Sequence, residues 1–228
     1  MTEKESFRFA VRKPRNLDRK SIEDIESKLL SRLDTREKSH VSALQNLVEF
    51  YMSCKRQSLA ITYLDKAMLI TEDDESQSWL LVKFGQMMEQ NSDHISARDY
   101  YRRALAKNPS SEFTLYYGNN NLGYCLNHFS EYEEAELYCR KAISIDPEKH
   151  NAYKNLGISL EGQGKYSDAA SNYIIAIRKN SSDPRALNHL RKLIKNHDVS
   201  AGIPDILDQL AECTKFVNLA GKMNRRIR

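Results

Sequence analysis

The chain has 228 residues, of which 40% are hydrophobic and 29% are charged, with a formal net charge of +4. This length allows one elongated domain or two small ones, and only 5 prolines and 8 glycines argue against fibrous and low-complexity classes. The sequence has no apolar run near the roughly 20 residues that a membrane helix needs. We therefore expect a cytoplasmic protein without a membrane span.

The positive charge is concentrated at the two ends of the chain. Residues 1–20 hold 7 basic and 3 acidic side chains, residues 215–228 hold 5 basic and no acidic ones, and the segment between them carries −5. Basic ends of this kind can contact nucleic acid or anionic membranes, although they are more often solvated. The sequence predicts a flexible basic arm over residues 1–20 and a basic tail over residues 222–228.

The first predicted helix begins at Ser21 and continues to about Arg36. Ile22, Ile25 and Leu29 recur at helical spacing, but the helix lacks the small residues that recur later in the chain. We interpret residues 21–40 as an N-terminal capping helix, which covers the exposed face of the first repeat.

One pattern then recurs with a period of 34 residues. Leu122-Gly123 returns as Leu156-Gly157, and the alanines of the first copy return at the same spacing in the second. Such a period is typical of repeat architectures. Carried along the chain, the frame gives four units at residues 41–74, 78–111, 116–149 and 150–183.

Each unit is predicted to contain two amphipathic helices, because apolar residues recur at i, i+3 or i+4, and i+7. A glycine follows the first core residue in three units, although glycine inside a helix costs about 1 kcal/mol relative to alanine. Tight packing between the paired helices would offset that cost. The additional residues Glu75–Gln77 and Glu112–Leu115 precede the second and third units, and they predict longer first helices there.

The order of Leu-Gly, an aromatic residue or leucine, alanine, a second aromatic residue, alanine and proline resembles the tetratricopeptide repeat (TPR). The resemblance covers Val41–Asp183 and implies an all-α solenoid of helix–turn–helix repeats with capping helices at both ends. Residues 184–221 follow the last unit, beginning at Asp183-Pro184, which is a favourable helix start. We interpret them as C-terminal capping helices.

The sequence contains no motif for catalysis, phosphate binding or metal binding. The four cysteines lack metal-ligand spacing, and the six histidines are scattered singly along the chain. We therefore expect a protein that is not an enzyme and that needs no cofactor or metal.

The TPR resemblance implies that the first helix of each unit lines a groove, which the residue before the Leu-Gly pair faces. Asparagine is frequent there and offers both a donor and an acceptor to a peptide backbone, although it is also common in this place in repeats that bind nothing. The candidate groove residues are Asn46, Lys83, Asn120, Asn121, Tyr124, Asn151, Lys154, Asn155, Arg185 and His189.

The basic candidates gather at the C-terminal end of the predicted groove, where an acidic side chain or a C-terminal carboxylate of a partner would fit. Some TPR co-chaperones hold chaperone tails with a five-residue clamp. Only Asn155 and Arg185 match that clamp here, so the sequence does not predict it.

The run from Tyr116 to Asn121 contains one glycine and three asparagines, which are poor helix formers. Either packing overrides these propensities, or the helix bends there and presents two tyrosines at the centre of the groove. Both alternatives remain open from the sequence.

Taken together, these features predict a non-catalytic protein–protein interaction module that acts as a scaffold, adaptor or co-chaperone. One alternative is an adaptor for nucleic acid or membrane surfaces that acts through the basic ends. Another is a structural module that forms homo-oligomers through its last helix.

Overall fold

The computed structural model describes residues 19–31, 39–54, 56–197, 199, 202–203 and 205–226. Over these ranges the chain is all-α, with eleven helices and no strand. It divides into two compact units, Met1–Leu80 and Leu81–Arg228. Most of the predicted basic arm, residues 1–18, lies outside the described residues.

The first unit contains α1 (Arg19–Ser31), α2 (Ser39–Ser53), α3 (Gln57–Ile70) and the beginning of α4 (Asp74–Gln90). Helices α2 and α3 pack against each other, and α1 packs against α2. The Tyr51 hydroxyl on α2 donates a hydrogen bond to Glu26 of α1 over 2.6 Å, and its ring stacks on Tyr63 of α3 at 5.2 Å. The first helix therefore covers one end of the α2–α3 pair.

The second unit contains the rest of α4 and seven further helices. These are α5 (His94–Ala106), α6 (Glu112–His128), α7 (Tyr132–Ile145), α8 (His150–Gly162), α9 (Tyr166–Lys179), α10 (Arg185–Asn196) and α11 (Ile206–Arg226). Consecutive helices pack in pairs, α6 also contacts α8, and α8 also contacts α10. Helices α6, α8 and α10 thus form one layer, while α7, α9 and α11 lie behind them.

The lengths of the first helices confirm one prediction. Helices α4 and α6 have 17 residues each, whereas α8 has 13. The extra residues before the second and third units therefore extend these helices by about one turn.

Two glycines permit the close approach of paired helices. A Cβ added to Gly85 would lie 2.6 Å from the Cε1 atom of Tyr101, and one added to Gly157 would lie 2.5 Å from Cε1 of Tyr173. Both tyrosine rings are fully buried against the helix backbone. The recurring glycine thus has the packing role that the sequence predicted.

The last helix differs from the prediction of a separate tail beginning at Lys222. Helix α11 continues to Arg226. Ile206 and Cys213 are buried, and Val217 packs against the core that α8, α9 and α10 share. The regular helix therefore includes most of the basic C-terminal segment.

Candidate binding surface on α6, α8 and α10

Most of the predicted groove residues lie in the second unit, on one layer of helices. Asn46 is on α2 in the first unit, and Lys83 is on the part of α4 that belongs to the second. We call the face of α6, α8 and α10 the inner surface. Its predicted members are Asn120, Asn121, Tyr124, Asn151, Lys154, Asn155, Arg185 and His189.

The asparagines on α6 and α8 are bonded to one another. Asn155 Nδ2 donates to Asn120 Oδ1 over 3.1 Å, and Asn120 Nδ2 donates to Asn121 Oδ1 over 2.8 Å. Asn120 and Asn155 are only 5% and 2% exposed, so both side chains are buried where α6 and α8 pack. Their first role is to satisfy each other where α6 and α8 pack. Asn121 is only partly buried.

The asparagine chain continues to a carboxylate on α4. Asn121 Nδ2 donates to the Tyr101 hydroxyl over 3.4 Å, and that hydroxyl donates to Glu89 Oε2 over 3.0 Å. Burial raises the pKa of Glu89, although the bond from Tyr101 opposes the rise. One hydrogen-bonded path therefore links α4, α5, α6 and α8.

Two further residues in the hydrogen-bonded network between α6 and α8 were not predicted from the sequence. Asn127 Nδ2 donates to the Asn155 carbonyl over 2.8 Å, and Ser159 Oγ donates to Asn127 Oδ1 over 2.9 Å. In the neighbouring units a glutamate in the place of Asn127 accepts from a buried tyrosine, but α7 carries Cys139 in the place of that tyrosine. The replacement of the glutamate–tyrosine pair by Asn127 and Cys139 was the sequence feature that could have revealed these contacts.

Lys154 is the most unusual residue on the inner surface. It is only 6% exposed, yet it makes no hydrogen bond or ion pair with any residue that the structure describes. Burial lowers the pKa of its ammonium, and the nearby positive charge of Arg185 lowers it further. Asn155 Oδ1, on the neighbouring residue, is likewise buried without a hydrogen-bond partner. A buried amine in this state favours an added acceptor.

Arg185 is less available to a partner than its sequence position indicated. Its guanidinium binds Asp183 with contacts of 2.7–3.0 Å, and it also reaches Asn151 Oδ1 at 3.4 Å. Hydrogen bonds from Arg185 hold the pKa of Asp183 well below its usual range. His150 lies 3.2 Å from the same carboxylate. The chain therefore already supplies one acid to the basic end of the surface.

His189 and Tyr124 are each packed against a neighbouring aromatic ring. His189 stacks on Tyr173 at 5.3 Å, and burial lowers the pKa of its imidazole. Tyr124 is half-buried and meets the edge of His94 at 5.9 Å. These contacts fix ring orientation and leave the Tyr124 face partly open to solvent.

The run from Tyr116 to Asn121 is regular helix, so the alternative of a bend there is wrong. Gly118 lies against Leu105, and Asn119 Nδ2 donates to the Leu115 carbonyl four residues earlier. The ammonium of Lys149 lies 4.1 Å from the centre of the Tyr116 ring and 4.9 Å from that of Tyr117. Packing thus overrides the weak helix propensity of this run, which was the first alternative.

Two other kinds of feature were sought in the described part of the chain, a metal-binding cluster and a membrane-spanning helix. It holds no group of three or more His, Cys, Asp and Glu side chains that could bind a metal ion. In the same residues, no helix is both long and apolar enough to cross a membrane.

Comparison with known proteins agrees with this architecture. The tetratricopeptide repeat family matches residues 89–150 and 154–190. The photosystem I assembly protein Ycf3 of Acaryochloris marina is 30% identical over 40% of this chain and 60% of its own length. The chain thus spans less than two thirds of that relative.

Solved structures show the same fold at low sequence identity. A structure of MamA residues 41 to the end from Desulfovibrio magneticus RS-1 has a TM-score of 0.59 and 14% identity, covering 82% of this chain and 96% of that one. A MamA structure designated AMB-1 has a TM-score of 0.54 and 14% identity, covering 78% of this chain and 94% of that one.

Proposed function

The chain is a tetratricopeptide repeat protein, and from that premise we propose that it binds a segment of a partner protein on the inner surface. TPR proteins generally mediate protein–protein interaction, and stacked repeats of this type present extended binding surfaces. In this proposal the chain acts as a non-catalytic adaptor or scaffold. Its partner lies across α6, α8 and α10.

The state of Lys154 is the observation that carries the proposal. A buried ammonium with no acceptor among the described residues loses hydration without compensation. An acceptor on a partner segment would restore that interaction. Tyr124 and Asn188 border the same face and remain partly or fully exposed, so they are available for further contacts.

The test is affinity capture from a native extract with matched variants. Lys154→Met keeps the length of the side chain and removes its charge, and Asn188→Ala trims an exposed position on α10. Lys141→Met is the control, because Lys141 is exposed on α7, outside the inner surface. We expect one set of proteins to bind the wild type and Lys141→Met and to be lost with Lys154→Met.

Each outcome has a clear meaning. Capture that all four chains share in equal amount would exclude the inner surface as the binding site. If capture is lost selectively, the affinity of each variant for the purified partner should be measured by calorimetry. This measurement distinguishes a lower affinity from a lower expression level.

A further inference from the structure

Glu89 on α4 and Lys154 on α8 carry opposite charges, lie close enough to influence each other and do not form an ion pair. We propose that the partner segment carries a basic side chain that meets Glu89 and, a few residues away, an acidic side chain that meets Lys154. This inference rests on the proposed function, since it names the chemistry of the segment that would bind there. It also fixes the direction in which the segment lies.

Glu89 supplies the acidic side of the surface. It stands near the end of α4 and is only partly buried. Its Oε2 atom accepts from the Tyr101 hydroxyl, and no ion pair to it occurs within the described ranges. The carboxyl group therefore has no cation bonded to it in those ranges, while Tyr101 holds its orientation.

Lys154 supplies the basic side. It is close enough for its charge to lower the pKa of Glu89, yet the two groups do not form an ion pair. From Glu89 the hydrogen-bonded path runs through Tyr101, Asn121 and Asn120 to Asn155, the residue after Lys154. The polar groups of this path are occupied by one another, so they neutralise neither charge.

The other charges nearby do not remove this polarity. Arg185 is paired with Asp183, so that pair contributes little net charge. Both Glu89 and Arg185 lie near enough to Tyr124 to influence it electrostatically. In this proposal the bound segment crosses Tyr124 between its basic and its acidic side chain.

A segment with matching charges would form a favourable ion pair with Glu89 and another with Lys154. Each partly desolvated charge has lost water without gaining a counter-charge, and a bridging ligand supplies both counter-charges in one binding event. A segment with the same residues in reverse order would place like charges together, which opposes binding. The surface therefore selects the order of charges as well as their presence.

A random twelve-residue peptide library displayed on phage provides the probe. The library is selected on the wild type, Glu89→Gln, Lys154→Met and the control Lys141→Met. We expect peptides from the wild type and the control to pair a basic with an acidic residue in one fixed order. Glu89→Gln should lose the enrichment of the basic residue, and Lys154→Met should lose that of the acidic residue. Glutamine can still accept from Tyr101, so the first variant preserves the local structure.

Double-mutant cycles with one synthetic selected peptide complete the test. Replacing its basic residue by alanine should weaken binding to the wild type about tenfold and binding to Glu89→Gln less than twofold, as expected for direct charge pairs. Peptides that need the inner surface but show no charge pair would overturn this inference and leave the proposed function intact. If no peptide is sensitive to either substitution, both proposals are wrong.

Discussion

Gly157 shows how one missing side chain permits a buried aromatic ring. An added Cβ would lie 2.5 Å from Cε1 of Tyr173, which is fully buried and cannot move aside. Overpacking of this kind costs about 1–3 kcal/mol and exceeds the helix propensity that alanine gains. We therefore expect Gly157→Ala to lower the free energy of unfolding by about 1–3 kcal/mol, measured by urea denaturation.

Gly118→Ala is the matched control for that substitution. Its added Cβ would lie 2.9 Å from Cδ2 of Leu105, which is the end of a flexible side chain. A small rotation of Leu105 relieves that contact, so the loss of stability should be smaller than for Gly157→Ala. The reverse ranking would show that the ring contact does not determine the need for glycine.

For Lys154 we predict that substitution stabilises the protein, in contrast to Gly157. Because burial disfavours its ammonium, Lys154→Met should raise the free energy of unfolding by about 1 kcal/mol, or Tm by about 2–4 °C. The unfolded chain holds this proton more tightly than the folded one, so the stability of the wild type rises as the pH approaches the ordinary value of 10.5. The difference between variant and wild type should therefore be largest near neutral pH and shrink in alkaline solution.

The same substitution separates a structural role from a functional one. If a residue serves binding at the expense of stability, replacing it makes the protein more stable and removes its affinity for the partner. Lys141→Met, on an exposed position, should change the stability by less than about 0.5 kcal/mol. A destabilised Lys154→Met chain would show instead that the amine supports the fold.

At the scale of helices, Glu136 joins α7 to the turn between α8 and α9. It accepts from Gln163 Nε2 over 2.8 Å, from Arg140 over 2.7 Å and from Lys165 over 3.0 Å. Burial raises the pKa of Glu136, but these three partners outweigh that effect and lower it to about 2. The carboxylate therefore stabilises the folded chain while it stays ionised.

This depressed pKa predicts how stability depends on pH. The contribution of Glu136 is complete above the ordinary value of 4.5 and is lost as the pH falls towards about 2. Glu136→Gln should lower the unfolding free energy at pH 7 by less than about 1 kcal/mol, because Arg140 and Lys165 are largely exposed. Thermal unfolding should show the two chains converging between pH 4.5 and 2; a gap that persists at pH 2 would contradict this.

The helical elements were more predictable than the contacts between them. The 34-residue period placed the helix pairs, because buried apolar positions must recur whenever equivalent helices stack. It did not reveal that Asn155 bonds Asn120, since these residues are 35 positions apart and meet only through packing. Nor did a lysine at position 154 indicate its own burial, which depends on the helices that pack against α8.

The contacts of α11 determine how self-association is best tested. Removing the chain from Gly202 onward would uncover the core that Ile206 and Cys213 help to cover, and the truncated chain would aggregate for that reason alone. Phe216 and Leu219 are 43% and 59% exposed on the same helix. Replacing both by glutamate preserves the buried face. Sedimentation of that variant beside the wild type then reports on a dimer without disturbing the fold.

At the scale of the whole molecule, the charge distribution separates the proposed function from binding through the basic ends. Residues 1–18 can be deleted, and Lys222, Arg225 and Arg226 can be replaced by glutamine. Deletion from residue 215 would remove Val217 from the core instead. We expect the altered chain to bind its partner within about twofold of the wild type, because in our proposal the binding residues are on α6, α8 and α10. Binding by the basic ends would instead weaken steeply with salt and disappear in this variant.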